Sequence, residues 1–381
     1  MGVRRPREER ESVESTRTSD ESRRDEFASA RKLIWRSFKK HVLAVAGGVI
    51  LLFFYLIAVC ADVIAPYPVT ERHGEHPFAP PQRIHVVHEG RLSAPFVYGY
   101  SAARDPESRR MIFQTDTSQR YPIRLLVPSK PYKLLGLFTV HVKLFGVREG
   151  HIYLFGTDEL GRDLLSRTVL AFRVSLTVGL VGVALSFVLG LFLGGISGYY
   201  GGTLDVVIQR IIELLLSIPK IPLFLALAAA LPRTWSPVQV YFGVTLILSS
   251  VGWGGLARVI RGKFLELRES DFVAAAKIAG ATDGSVIRKH LVPSFMSYII
   301  VDLTLSVPRM ILAETSLSFL GLGIRSPAVS WGALLTAAQK VHVLVNRPWL
   351  LIPAVFVIAT VLCFNFVGDG LRDAADPYRS R

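Results

Sequence analysis

Two pairs of closely spaced histidines are the first side chains of this sequence that could do chemistry. His73 and His76 have two residues between them, as do His85 and His88, and paired imidazoles can bind zinc or a related metal. Both pairs lie in a proline-rich stretch with no helical pattern to align them. We therefore expect these to be solvated loop histidines and predict no metal site.

An acidic cluster is the second group with possible chemistry. Asp158, Glu159 and Asp163 surround Arg162, and paired carboxylates can serve as general acid and base. The cluster lies next to two glycines just before an apolar segment, so helix capping and ion pairing explain it better. The sequence also has no Ser/His, paired-Asp or His-Glu-x-x-His arrangement and no Gly-x-x-x-x-Gly-Lys-Ser/Thr loop. We predict no catalytic residue and no cofactor, and any nucleotide hydrolysis must come from a separate polypeptide.

The elements that must position these side chains are long apolar segments. Of the 381 residues, 50% are hydrophobic and 19% are charged, and the apolar residues form blocks too long for soluble core helices. This pattern excludes a soluble globular enzyme, a disordered protein and a β-barrel, whose strands would alternate about every ten residues. We predict an all-α polytopic membrane protein with six transmembrane helices, at about residues 42–65, 168–196, 206–231, 238–260, 295–321 and 350–367.

The positive charge indicates how these spans are oriented. The formal net charge is +14, and Lys and Arg concentrate at residues 31–40, before the first span, and at 258–289, between the fourth and fifth spans. Basic residues beside spans mark the cytoplasmic side, and no aromatic-interleaved basic patch favours nucleic acid. We predict that both termini and the loop 261–292 are cytoplasmic.

The spans divide the chain into four segments. Residues 1–41 form a cytoplasmic basic tail, expected to be disordered to about residue 26, followed by a juxtamembrane helix. Residues 42–65 are the first span. Residues 66–155 are an extracytoplasmic insert with short alternating runs at 84–87, 123–127 and 140–145, which predict a small module of strands and loops. Residues 156–381 form a five-helix core.

The third predicted span begins with charged residues and contains a break. Asp205, Arg210 and Glu213 lie at its cytoplasmic start, where they could form a cap with an internal ion pair or a cytoplasmic gate. Its middle is interrupted by Ser217, Pro219, Lys220 and Pro222, and in lipid such a break is tolerated beside other helices or a water-lined cavity.

The fifth predicted span carries three charged residues, Asp302, Arg309 and Glu314. A charge at bilayer depth costs at least about 2.5 kcal/mol, so these side chains should face the protein interior or a pore. Asp302 and Arg309 could instead lie near the ends and snorkel or pair. The predicted lining or gate of a pathway comprises Glu213, Pro219, Asp302 and Glu314.

The central loop contains an unusual helix. Alanines at positions 274, 275, 276 and 279 precede Gly280, and a second short helix is expected to end near Pro293. Small side chains allow close approach of another protein, and glycine permits a left-handed cap that turns the chain. The pattern predicts either a docking element for a cytoplasmic partner or an ordinary helical loop.

This loop resembles the EAA coupling motif of ABC importer permeases. The string FVAAAKIAGATDGSVIRKHLVPS (272–294) is similar to the dipeptide/oligopeptide/nickel branch, the OppC/DppC-like membrane subunits. The resemblance covers about residues 31–65 and 155–381. It is also carried by FGTDELGRDLLSR (155–167), SGYYGGTLD (197–205), AETSLSFLGLGIRSPAVSWG (313–332) and NFVGDGLRDAADP (365–377).

The resemblance implies a non-catalytic permease subunit in a prokaryotic plasma (inner) membrane, with a peptide as the favoured substrate. It implies four kinds of partner: a second similar permease, two cytoplasmic ATPases, an extracytoplasmic solute-binding protein and membrane lipid. The usual Glu of the motif is Ala274 here, so a salt bridge from that position is not expected. The residues expected to couple to the ATPase are Asp271, Ala274, Ala275, Ala276, Gly280, Asp283 and Pro293.

Two other classes of protein stay open as alternatives. A self-contained secondary transporter or channel would show an internal repeat or intramembrane charges in both halves, and neither is evident. A membrane-embedded enzyme would need a catalytic pair at matching depth, which the sequence does not show.

Overall fold

The computed structural model describes residues 30–104 and 111–375. His41 separates the first two helices and caps the second, because its Nδ1 accepts a hydrogen bond from the backbone N–H of Ala44 at 3.3 Å. The tail expected to be disordered, residues 1–26, lies outside the described residues. The first helices are α1, Ala30–Lys40, α2, Val42–Val59, and α3, Ala61–Ile64.

The insert contains two small antiparallel sheets. The alternating runs at 84–87, 123–127 and 140–145 each overlap an observed strand, but two further strands, β2 at Arg91–Arg104 and β3 at Met111–Pro122, were not predicted. β3 is rich in polar residues and mostly exposed, so it lacks the alternation of apolar and polar residues that identifies a strand. The first sheet contains β1, His85–His88, β2, Arg91–Arg104, and β3, Met111–Pro122; the second contains β4, Arg124–Leu134, and β5, Phe138–Gly146.

Helices build the remainder of the described chain. Long segments are α4, Leu164–Tyr200, α5, Gly202–Ser217, α6, Lys220–Ala229, α7, Pro237–Leu267, α11, Met296–Phe319, and α14, Ile352–Ala375, which follows a 3₁₀ turn at Pro348–Leu351. Short segments are α8, Asp271–Ile278, α9, Asp283–Val286, a π turn at Ile287–Leu291, α10, Val292–Ser294, α12, Trp331–Leu335, and α13, Val341–Asn346.

The predicted fold of six spans is confirmed. Within the described residues, five helices are long and apolar enough to cross a membrane, and α5 with α6 makes a sixth crossing if this bent pair is one span. The two helices meet at 92°, between Ser217 and Lys220, where the prolines predict a break. α4 and α7 are each longer than predicted and extend past the apolar blocks into polar sequence.

The scaffold of the core is a close contact between α4 and α7. Gly194 and Gly198 of α4 lie directly against the backbone of α7: a Cβ added at Gly194 would be 2.5 Å from the Ala257 carbonyl oxygen. The Ser186 hydroxyl donates a hydrogen bond to the Ser249 carbonyl at 3.2 Å across the same interface. Small residues let two membrane helices approach in this way.

A buried ion-pair cluster fixes the start of α4. The Asp158 carboxylate accepts a hydrogen bond from Arg162 Nε at 2.7 Å and also pairs with Arg167. Asp163 caps α4, since its carboxylate accepts from the backbone N–H of Ser166 at 2.7 Å, and burial raises the pKa of Asp163 to about 6. The predicted capping and pairing are confirmed.

Asp158→Asn is expected to lower the free energy of unfolding by about 3–5 kcal/mol, because it leaves the Arg162 and Arg167 charges buried without a carboxylate. The measurement is the thermal unfolding midpoint of the detergent-purified protein. Glu159→Gln is the matched control, since Glu159 is exposed next to the cluster. Equal midpoints for the two variants would contradict a structural role of this cluster.

Candidate functional site

The alanine-rich segment, residues 271–294, is anchored to the core on one side. Val273, Val286 and Leu291 are fully buried and pack with Phe264 of α7. Because these apolar contacts are spread along the segment, they hold it in one position against the ends of α7 and α11.

The opposite face of α8 is exposed and built from small and apolar side chains. Ala274 and Ala275 are exposed, while Ala276 is half-buried against the anchoring cluster. Two large apolar side chains frame the alanines: Phe272 is 42% exposed and Ile278 is 88% exposed. Sequence analysis did not single out these two, although their positions beside the buried Val273 and half-buried Ala276 could have indicated an outward face.

Gly280 ends α8 in a left-handed conformation. Its φ is +84°, its N–H donates to the Lys277 carbonyl at 3.0 Å, and the Ala281 N–H donates to the Ala276 carbonyl at 3.0 Å. This is the glycine cap that the sequence predicts. Within residues 30–104 and 111–375, no heavy atom other than those of the two chain neighbours lies within 4 Å of a Cβ added at Gly280, so the surface there is open.

Polar contacts join the alanine-rich segment to the end of α4. The Tyr199 hydroxyl donates a hydrogen bond to the Asp283 carboxylate, and the Lys277 ammonium lies 5.2 Å from the centre of the Tyr199 ring. Asp283 is thus held by the core, although it is exposed. Pro293 is exposed in α10.

A second contact joins α5 to α7 nearby. Arg261 donates to both carboxylate oxygens of Asp205, at 2.5 and 2.6 Å. Asp205 therefore pairs across helices, and Arg210 instead pairs with Glu213 at 2.8 Å on an exposed surface of α5. The internal ion pair that the sequence suggested for the start of the third span is therefore present, between Arg210 and Glu213. Asp205 does not take part in it.

A cavity of about 150 Å³ lies beside the bend between α5 and α6. It is lined by Lys220 and Phe224 of α6 and by Asp302 and Arg309 of α11, among other residues. Asp302 Oδ1 lies 3.9 Å from an Arg309 terminal nitrogen, so the two charges pair within the helix. Pro219 lies at the bend itself.

The other two predicted pathway residues lie elsewhere. Glu314 is fully buried and accepts a hydrogen bond from the Ser318 hydroxyl at 2.6 Å. It does not line the cavity at the bend, although its neighbour Ala313 does. Glu213 is exposed on α5, with half of its side chain accessible. The structure thus brings Asp302 and Pro219 to the same region and separates Glu213 and Glu314 from it.

Comparison with known families decides the class of this protein. The family described as "Binding-protein-dependent transport system inner membrane component" matches residues 186–381, just over half of the chain. The chain belongs to this family. The description "N-terminal TM domain of oligopeptide transport permease C" matches residues 29–81 of the same permease.

Curated relatives agree with this membership. The permease is 32% identical to the dipeptide transport system permease protein DppC of Bacillus subtilis, over 96% of this chain and 90% of that protein. It is 44% identical to the oligopeptide transport system permease protein OppC of Haemophilus influenzae, over 60% of this chain and 71% of that protein. The OppC of Escherichia coli is 40% identical over 61% of this chain and 74% of its own length.

Family membership fixes the general role of the chain. It is a multi-pass permease subunit of the inner membrane and works in a transport system that includes a solute-binding protein and an ATPase.

Among solved structures, the methionine ABC transporter MetNI in inward-facing conformations gives a TM-score of 0.45 at 18% identity, over 55% of this chain and 97% of that chain.

The insert of the permease contains a histidine cluster that sequence analysis interpreted wrongly. His73 and His76 are half-buried rather than solvated: the rings of His73 and His151 are 4.2 Å apart, and those of His76 and His151 are 5.5 Å apart. The ring of Tyr153 stacks on His151 at 5.8 Å. The Nδ1 atoms of all three histidines are buried and make no hydrogen bond within the described part of the chain. The error arose because His151 is distant in sequence from the first pair.

Acidification is expected to destabilise the insert. Burial and the neighbouring imidazoles lower the pKa of His76 and His151, while Glu71 and Glu75 oppose this for His151. Because the folded pKa lies below the unfolded value of 6.5, the folded state binds fewer protons, and stability is lost as the pH falls below about 6.5. The measurement is the thermal unfolding midpoint at pH 7.5 and 5.5.

His151→Phe should reduce this pH dependence while keeping the stack with Tyr153. His141→Phe is the matched control, because His141 is exposed on β5. An identical pH dependence in the wild type and the His151 variant would show that the cluster does not control the stability.

Proposed function

We propose that this permease pairs with a second, similar permease and that the pair binds two cytoplasmic ATPases and an extracytoplasmic solute-binding protein to import peptides. Hydrolysis belongs to the ATPases in this proposal, since the sequence has no phosphate-binding loop. Peptides are the proposed substrates because the similar proteins from three bacteria are named oligopeptide or dipeptide permeases.

The exposed face of α8 is the observation that carries this proposal. It offers small side chains flanked by Phe272 and Ile278, on a helix whose other side is anchored in the core. Exposed apolar residues around a surface of small side chains are more favourably buried in a groove of another protein than left in contact with water. The residues proposed to contact the ATPase are Asp271, Ala274, Ala275, Ala276, Gly280, Asp283 and Pro293, together with Phe272 and Ile278.

The contacts of the alanine-rich segment supply a route for movement. Closure of the ATPases would displace α8, and the Tyr199–Asp283 hydrogen bond would carry that displacement to α4. The Asp205–Arg261 pair would couple α5 to α7, so that the helices around the cavity move together. We propose Pro219 and Asp302 as part of the pathway; a pathway role for Glu213 and Glu314 stays a prediction.

The proposed orientation places both termini and the alanine-rich segment in the cytoplasm. Basic residues at 31–40 and 258–289 support it, because Lys and Arg beside spans are retained on the cytoplasmic side. The insert, residues 66–155, then lies outside and the core, residues 156–381, carries the remaining five spans.

Site-specific cross-linking tests the assembly and its orientation together. The permease carrying Ala275→Cys is co-expressed with the neighbouring permease, ATPases and binding protein, and a short thiol cross-linker is added to inside-out vesicles. We expect a covalent adduct with an ATPase, because Ala275 is exposed on the proposed contact face. Peptide uptake by the same complex in proteoliposomes tests the transport activity.

Lys130→Cys in β4 is the control, because this exposed residue of the insert would lie on the other side of the membrane. The proposal is wrong if the two cysteines cross-link to the ATPase equally, or if no ATPase co-purifies with the permease. A complex that forms but takes up no peptide would refute the substrate class alone.

A further inference from the structure

Three charged side chains line the cavity at the bend between α5 and α6. Lys220 comes from the first turn of α6, and Asp302 and Arg309 come from α11. Lys220 and Arg309 also line an adjoining cavity of about 220 Å³, whose other walls include Leu225 and Leu312. The two cations therefore lie between two mainly apolar spaces.

Arg309 lies near the middle of α11, a helix long and apolar enough to cross a membrane, and is not enclosed by the described part of this subunit. It is the fourteenth of the 24 residues of α11, about 20 Å from the first at 1.5 Å per residue. Its side chain is 67% exposed, and a charge facing lipid at this depth is costly. The exposed guanidinium must therefore face a water-filled pathway or a partner.

The charges around this cavity do not balance. Among the described residues that line it, the charged side chains are two cations and one carboxylate. Asp302 is 3.9 Å from Arg309, and Arg309 Nε donates to the Leu305 carbonyl at 3.0 Å, which holds the guanidinium beside its own helix. Lys220 adds the unbalanced positive charge at the N-terminus of α6, where the helix dipole also favours an anion.

We propose that Lys220 and Arg309 bind the C-terminal carboxylate of the peptide in transit and that Asp302 positions Arg309. This inference rests on the proposed function. A free α-carboxylate is the one anionic group shared by all unmodified peptides, so its capture does not depend on peptide sequence. Guanidinium and carboxylate form strong charge-assisted hydrogen bonds. The other walls of this cavity, around Phe224, are apolar and would not discriminate among peptide side chains.

The test compares two forms of one tripeptide, the free acid and the C-terminal amide, in proteoliposomes containing the complete transporter. For each substrate, the uptake of a variant is divided by the wild-type uptake, so the preference of the binding protein cancels. The double variant Lys220→Gln/Arg309→Gln should lower free-acid uptake at least tenfold and amide uptake less than twofold. Asp302→Asn should lower free-acid uptake less than the double variant does.

Lys130→Gln removes a cation from the exposed insert and is the matched control; it should leave both ratios near one. Equal losses for acid and amide in the double variant would overturn this inference and indicate a structural charge or an ion pair with the partner permease. If the double variant fails to assemble, Lys220→Gln alone is judged by the same difference between acid and amide, since Lys220 is exposed. No wild-type uptake of either form would instead refute the proposed function.

Discussion

Gly194→Val is expected to leave almost no folded permease in the membrane. The added Cβ would lie 2.5 Å from the Ala257 carbonyl oxygen and 2.8 Å from its Cα, and both are backbone atoms of α7. An overpacked core costs about 1–3 kcal/mol when neighbouring side chains can move aside. Here the two helices must separate along their length, because a Cβ added at Gly198 would likewise lie 2.6 Å from the Arg261 carbonyl oxygen, which shows that the close approach continues there. We therefore expect a loss of more than about 3 kcal/mol.

The amount of monodisperse permease recovered in mild detergent and its unfolding midpoint measure this effect. Gly255→Val on α7 is the matched control, since a Cβ added there would have no heavy atom of another described segment within 4 Å. Both changes replace a helical glycine by the same β-branched residue, so the small difference in intrinsic helix propensity is shared. Similar recovery of the two variants would contradict the close packing of α4 against α7.

The membrane-spanning architecture was predictable because its physical signals are local in sequence. A run of about 20 apolar residues has no stable alternative to a helix in lipid, so the spans are visible without any tertiary information. The prolines near Pro219 likewise identify the bend, since each removes a helical hydrogen bond. The ends were less predictable: α4 begins at Leu164 and ends at Tyr200 because polar caps and glycines decide them.

Contacts between distant segments were not predictable in this way. His73 meets His151 only because the insert folds back on the start of α4, and Asp205 pairs with Arg261 across two helices. Neither pair has a local pattern. The same holds for Lys220, which was not predicted among the pathway residues: it lines the same cavity as Arg309, at the point where α6 turns 92° from α5.

The coupling role that we propose for the alanine-rich segment requires one face packed in the core and an opposite face that is exposed. Val273 and Leu291 are fully buried, whereas Ile278 is 88% exposed. A force applied to the exposed face is therefore transmitted to the core with little local deformation, because packed interiors have low compressibility. Small residues at the contact make this transmission sensitive to any added side chain.

Gly280→Asp is expected to reduce peptide uptake more than tenfold without preventing membrane insertion or folding. Apart from the two chain neighbours, no described residue has a heavy atom within 4 Å of the added Cβ, so we expect the new side chain to clash with a partner rather than with this fold. The φ of +84° costs an aspartate about 1–2 kcal/mol, which is small beside a blocked docking surface. Uptake and ATP hydrolysis by the reconstituted complex are measured together with the unfolding midpoint of the permease.

Two further variants separate the possible causes. Gly280→Asn has the same shape and tolerance for positive φ but no charge, so an equal loss of uptake would identify bulk as the cause. Gly262→Asp adds the same charge to an exposed position of α7, where an added Cβ would meet no other part of the described chain within 4 Å, and should leave uptake within about twofold of wild type. If Gly280→Asp transports like wild type, the face around Gly280 does not dock against the ATPase. Energy coupling must then pass through another surface of the permease.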